Sequence, residues 1–113
     1  MTDAIVPIGH KPVVQRYAVA TGILEISADS ADAIRNGQVA KGDVLEASTV
    51  AAIQAVKDTP RMIPHCHVIP IESCNVSWSW EGNSLRCTVS VSTHWKTGVE
   101  IEALCGVSTG LMC

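Results

Sequence analysis

SWSWEGNSLRCTVSVS, residues 77–92, is the stretch on which the fold turns. On both sides of Glu81-Gly82-Asn83-Ser84, bulky or apolar residues alternate with small polar ones. That is the two-residue period of a strand with one face in the core. The Gly-Asn pair in the link supplies turn chemistry. The pattern predicts an antiparallel hairpin over 71–80 and 85–95, with Leu85, Cys87, Val89, Val91 and Trp95 on one face.

Upstream, VVQRYAVATGILEI (13–26) alternates in the same way. Val14, Ala18, Ala20, Leu24 and Ile26 share a face with Arg16, which predicts another strand, kinked at Gly22. ADSADAIRN (28–36) reads as a short helix closed by Gly37. In KGDVLEASTVAAIQAVKDTP (41–60), Asp43 caps a longer helix and Glu46 follows three residues on, a capping-box spacing. Its apolar stripe is Val44 or Leu45, Ala47, Val50, Ala51, Ile53 and Val56, and Pro60 is expected to stop it. Beyond the hairpin, a last helix begins near Val99, with Glu100 and Glu102 in the first turn, where the helix dipole favours carboxylates. Ile101, Leu104, Cys105, Ser108, Leu111 and Met112 follow at helical spacing. The order β-α-α-β-β-α predicts a single α+β domain over 1–113, with helices packed on one face of an antiparallel sheet.

Composition narrows the function. The 113 residues carry a net charge of −3 and are 47% hydrophobic, without a phenylalanine. An acidic chain is a poor match to nucleic acid or a membrane surface, which call for a basic face. A small, apolar chain is expected to bury surface against copies of itself. The five cysteines, Cys66, Cys74, Cys87, Cys105 and Cys113, contain no Cys-x-x-Cys pair. With no signal-peptide pattern and no long apolar run in the sequence, the expectation is a reduced, cytoplasmic protein with mostly buried thiols.

The chemistry concentrates in IPHCHVIP, residues 63–70. As a regular strand it would send His65 and His67 to one side and Cys66 to the other. Zinc ligands are usually grouped on a turn or helix with a second cluster elsewhere, and only scattered His10, His94 and Cys105 could supply one. A Cys66 nucleophile served by a neighbouring histidine is weak for the same alternation. Two surface histidines and a buried thiol in a proline-stiffened loop is the plain reading. Lys41, Lys57, Arg61 and Lys96 stand at or near element ends. Each taken singly is a solvated surface charge, but together with histidines they are what a phosphate-bearing ligand requires. Glu100 and Glu102, two apart, would not share a helix face.

Three segments together resemble one family. KGDVLEASTVAAIQAVKDTPRMIPHCHVIPIE (41–72) is similar to the pattern KGDV-x-x-x-A-x-x-AGI-x-AAK-x-T-x-x-IP-x-CHP-I-x-(L/I). THWKTGVEIEAL (93–104) is similar to KTGVEMEAL, and IVPIGHKPVVQRYAVATG (5–22) to MVDIS-x-K-x-x-x-x-R-x-A-x-A-x-G. On these motifs the chain resembles the cyclic pyranopterin monophosphate synthases, molybdenum cofactor biosynthesis protein C, and within them the archaeal members. The resemblance spans almost the whole chain.

It implies a ferredoxin-like α+β fold and a hexamer built as a trimer of dimers, with active sites at the dimer interface. It also implies conversion of 3′,8-cyclo-7,8-dihydroguanosine 5′-triphosphate to cyclic pyranopterin monophosphate, with release of pyrophosphate. No resident metal or other cofactor is implied, although magnesium can accompany the triphosphate. By resemblance His67 and Lys41 carry catalysis. His65, Cys66, His67, Ile101, Glu102, Glu100, Lys41, Lys57 and Arg16 bind the substrate.

The departures are Pro7 for the pattern's Asp, Ala52 for its Gly, Val68 for its Pro and Ile101 for its Met. The pattern also runs on into a DM-x-K motif holding its principal catalytic Asp and Lys, which by alignment would begin just past Cys113. The chain is therefore expected to be C-terminally incomplete relative to the family. The alternative reading is a noncatalytic member that binds ligand or assembles with partners.

Overall fold

In the computed structural model, which describes residues 5–113, the hairpin forms as expected: β2 (Ser73–Glu81) and β3 (Ser84–Trp95) pair antiparallel. Glu81 pairs with Ser84 around a two-residue link, and the positive φ of 63° falls on Gly82, where a side chain would be strained. β1 (Val14–Glu25) adds on the other side of β3, so the sheet order is β1-β3-β2 and every pairing is antiparallel.

The register lines up the core in rows across three strands. Ala18, Val91 and Cys74 form one row; Ala20, Val89 and Val76 the next; Gly22, Cys87 and Trp78 the third. Val89, Val91 and Cys87 are fully buried. Each such valine contributes on the order of 1.5 kcal/mol of apolar burial. Gly22 does not kink β1, because its pairing with Cys87 is continuous with its neighbours. Its missing side chain leaves room for Val107 and Leu111, which a Cβ would meet at 2.7 and 2.9 Å.

The helices are α1 (Ala28–Arg35), α2 (Val44–Met62) and α3 (Glu100–Met112). Ser27 caps α1, and Asp43 caps α2 by accepting the Glu46 N–H at 3.0 Å. At the hairpin end, Arg35 of α1 stacks over Trp80 at 4.3 Å and donates to the Gly82 carbonyl. α3 packs on β1 and β3, while α2 packs on β2 and α3. This is the α+β, ferredoxin-like arrangement, with helices packed on one face of an antiparallel sheet.

Three further local expectations are corrected. Pro60 does not stop α2, which runs to Met62. Proline removes one N–H and crowds the turn before it, but near a helix end only one turn has to absorb this. The Ile63 N–H still reaches the Thr59 carbonyl, and Pro64 follows. The second correction concerns both long helices. α2 buries Ser48, Ala52, Ala55, Val56 and Thr59, whereas Ala47 and Val50 face out. α3 buries Glu102, Ala103, Gly106, Val107 and Gly110, whereas Ile101, Leu104 and Met112 are exposed. The contact face is chosen by small size. At Gly110 a Cβ would already be 3.3 Å from the Ala52 Cβ, and at Gly106 it would collide with Val56. Third, the thiols are not mostly buried. All five are free, only Cys87 is buried, and Cys113 is exposed.

Candidate functional site

The pocket that gathers the expected site residues lies where segment 63–72 passes the N-terminal end of α3. It measures about 230 Å³ and has two walls. His65, Cys66, His67 and Ile69 form one; Thr97, Gly98, Glu100, Ile101 and Glu102 form the other.

The first wall is not a strand. Pro64 and His65 form a turn in which the Cys66 N–H donates to the Ile63 carbonyl at 3.1 Å. Strict alternation therefore fails, and Cys66 lines the same pocket as both histidines. The far end of the segment is tied to the sheet: the Glu72 N–H donates to the Ser92 carbonyl at 3.1 Å, and the Thr93 hydroxyl donates to the Pro70 carbonyl. Glu72 also meets His94 at 2.6 Å. His67 is anchored by a hydrogen bond between its Nε2 and the Val6 carbonyl.

The second wall is the β3–α3 turn and the first turn of α3. Val99, the N-cap residue, provides no side-chain acceptor. The helix therefore opens with uncapped amides and the positive end of its dipole. Glu100 and Glu102 both reach the pocket although they lie two apart, because the pocket sits at the end of the helix and not along its side. Arg16 stands behind this wall, donating to the Trp95 carbonyl at 3.4 Å and the Lys96 carbonyl at 3.2 Å. It braces the turn and does not line the cavity.

Glu102 is the electrostatic centre of the site. The residue is 2% exposed, and its Oε2 is buried without a hydrogen-bond partner. Burial pushes its carboxyl pKa up and the Glu100 carboxylate adds to this, while its own backbone N–H and His67 oppose it. Burial also raises the Cys66 thiol, helped by Glu102 and Cys105, so this is not an activated thiolate. A carboxyl held toward its protonated form, with one oxygen unanswered, can donate to or accept from a polar ligand edge.

The cations are elsewhere. Lys41 is exposed in the loop between α1 and α2, and Lys57 is exposed on α2, where its charge reaches Cys74 of β2. Among the described residues, none of Lys41, Lys57 and Arg16 lines the pocket within one chain. No group of three or more His, Cys, Asp or Glu among the described residues is placed to hold a metal ion. Sequence reasoning missed Thr97, Gly98 and Ile69 as lining residues. The quoted Thr-Gly-Val-Glu run carried the signal for two of them.

The fold and pocket thus define an α+β protein with a small polar site between a His-Cys-His turn and an acidic helix start. Comparison with known proteins agrees with this and goes further. The pattern described as "MoaC family" matches residues 5–113. A "Probable cyclic pyranopterin monophosphate synthase" of Methanospirillum hungatei is 46% identical over 108 residues, covering 96% of this chain and 69% of the relative. Proteins of the same name from Archaeoglobus fulgidus and Sulfurisphaera tokodaii are 44% and 42% identical. They are matched over 96% and 99% of this chain and 69% and 75% of their own lengths. The chain belongs to the MoaC family.

Proposed function

We propose that this protein acts in molybdenum cofactor biosynthesis as a lyase. It would convert 3′,8-cyclo-7,8-dihydroguanosine 5′-triphosphate to cyclic pyranopterin monophosphate and release pyrophosphate. The observation that carries the reading is the buried, unanswered Oε2 of Glu102, a residue that lines one pocket with His65, Cys66 and His67, in a chain whose relatives are named for this product.

The roles follow from the chemistry of the groups. Glu100 and Glu102 hold the guanine-derived ring through its N–H groups, as carboxyl oxygens can. His65, Cys66 and Ile101 shape the cavity around it. His67, in the same cavity, contacts phosphate or moves a proton as a sugar hydroxyl attacks the α-phosphate and pyrophosphate departs. Lys41, Lys57 and Arg16 supply positive charge to the triphosphate, with magnesium travelling as its counter-ion. Positioning and charge stabilisation carry most of such a step.

Because the lysines stand outside the pocket of their own chain, the complete site takes them from a second copy. The assembly is a homo-hexamer, a trimer of dimers, with sites at dimer interfaces, working in the cytoplasm. Exposed Met62, Ile101, Leu104 and Met112 beside the pocket support an apolar contact there. No described helix is long and apolar enough to cross a membrane.

The test is to incubate the purified protein with the cyclised nucleotide and magnesium and follow pyrophosphate and the pterin product. Stoichiometric appearance of both is expected. A folded protein that binds the nucleotide without turning it over would instead fit a noncatalytic binding member.

A further inference from the structure

Gly98 lies in the turn between β3 and α3, and its φ is outside the left-handed region, so the backbone there does not demand glycine. What its missing side chain provides is space, and the space is filled. A methyl group on its Cα would fall within the Glu100 carboxylate, 2.7 Å from Cδ and closer still to both oxygens. The Glu100 side chain therefore folds back toward the start of the helix, over Gly98, as helical side chains lean. Gly98, Glu100 and Glu102 all line the pocket.

We propose that Gly98 is a positioning residue of this pocket: its bare Cα seats the Glu100 carboxylate beside Glu102 and so sets the spacing of the two acids that meet a ligand. The seat stands on the geometry, while its bearing on catalysis rests on the function proposed above. The groups that face Glu102 are Glu100 from its own helix and Cys66 and His67 from the opposite wall. Of these, Glu100 holds all three of the atoms nearest to a side chain added at Gly98. Its carboxylate is the free end of a flexible side chain, so Gly98→Ala displaces it and leaves the fold in place.

The test is a carbon-13 NMR pH titration of the glutamate side-chain carboxyls in the full chain, with the Glu102 signal assigned through Glu102→Gln. Gly98→Ala is expected to lower the Glu102 midpoint, because it moves a neighbouring anion away. In a Glu100→Ala background, Gly98→Ala is expected to change the midpoint no further. An unchanged midpoint in Gly98→Ala alone, or an equal drop in both backgrounds, overturns the proposal.

Circular dichroism decides the folding question. A Gly98→Ala protein that folds only when Glu100 is also alanine supports the seat. One that folds in neither background shows a backbone requirement and overturns it. With the cyclised nucleotide, Gly98→Ala should raise KM about tenfold in the otherwise unaltered chain and not in the Glu100→Ala background. Absence of turnover in the unaltered chain would count against the proposed function, and the titration would still decide the role of Gly98.

Discussion

A Cβ on Gly106 would lie 2.8 Å from Val56 Cγ2 and 3.1 Å from Val89 Cγ1, so α3 packs tightly against both α2 and the sheet at this one residue. Three elements meet there, so no neighbour has free space to retreat into. Gly106→Ala is expected to destabilise the fold by about 1–3 kcal/mol, the usual range for overpacking a core. For a domain of this size each kcal/mol lowers Tm by roughly 4–8 °C. Urea denaturation checks it: a midpoint equal to or above that of the unaltered chain would show that α3 can shift to accommodate a methyl group.

The Trp78 indole N–H donates to the Thr49 hydroxyl at 2.8 Å, and that hydroxyl donates onward to the Leu45 carbonyl at 2.7 Å. Thr49→Val keeps the shape and leaves the half-buried indole N–H without an acceptor. A loss of about 1 kcal/mol is expected. Chemical denaturation of Thr49→Val, Trp78→Phe and the double variant measures the coupling. Additive losses would show that the bond contributes nothing.

Local signals read well in this sequence. The hairpin follows from alternation around Gly82-Asn83, and the α2 cap from Asp43 and Glu46, because each depends on residues a few positions apart. The helix faces did not read well. Hydrophobicity pointed to Val50, Ile101 and Leu104, but α2 and α3 approach through Ala52, Val56, Gly106 and Gly110. Close approach rewards small side chains, and a period scored on apolar character does not register that. The larger apolar residues were left outside.

The pocket was legible in its residues and not in its geometry. His65, Cys66, His67, Glu100, Ile101 and Glu102 do come together. Alternation separated Cys66 from the histidines because it assumed a strand, whereas Pro64 and His65 make a turn. Lys41 and Lys57 lie outside that pocket, a matter of tertiary placement that spacing along the chain does not encode.

Glu102 gives the fold a pH dependence whose sign can be worked out. Its carboxyl pKa is raised in the folded protein, chiefly by burial. Its contribution to stability is thus complete below the ordinary glutamate value of about 4.3 and is lost as pH rises through the raised folded value. Glu102→Gln cannot ionise. As pH rises from about 4 through the raised folded value, the unfolding free energy of the unaltered chain is expected to fall relative to Glu102→Gln. Urea titrations of both proteins across that range check it, and parallel curves would mean the carboxyl is not desolvated.

Arg16 braces the wall of the pocket through the Trp95 and Lys96 carbonyls. Arg16→Met keeps the aliphatic stem and removes both donors. Hydrogen exchange at the Ala103 amide, which donates to the Val99 carbonyl in the first turn of α3, is expected to quicken about tenfold or less, matching the loss of about 1 kcal/mol of hydrogen bonding. Unchanged exchange there would show that the turn holds without the guanidinium.

The central claim is that the pocket between His67 and Glu102 takes the cyclised guanosine triphosphate. The most direct measurement is calorimetric titration of that nucleotide into the unaltered protein and into His67→Ala, Glu102→Ala and Lys41→Ala. Each variant is first shown by circular dichroism and sedimentation to keep the fold and assembly of the unaltered chain. The account predicts saturable binding that weakens by about tenfold or more in each variant, a loss of about 1.4 kcal/mol. Folded His67→Ala and Glu102→Ala proteins that bind as tightly as the unaltered chain would contradict it.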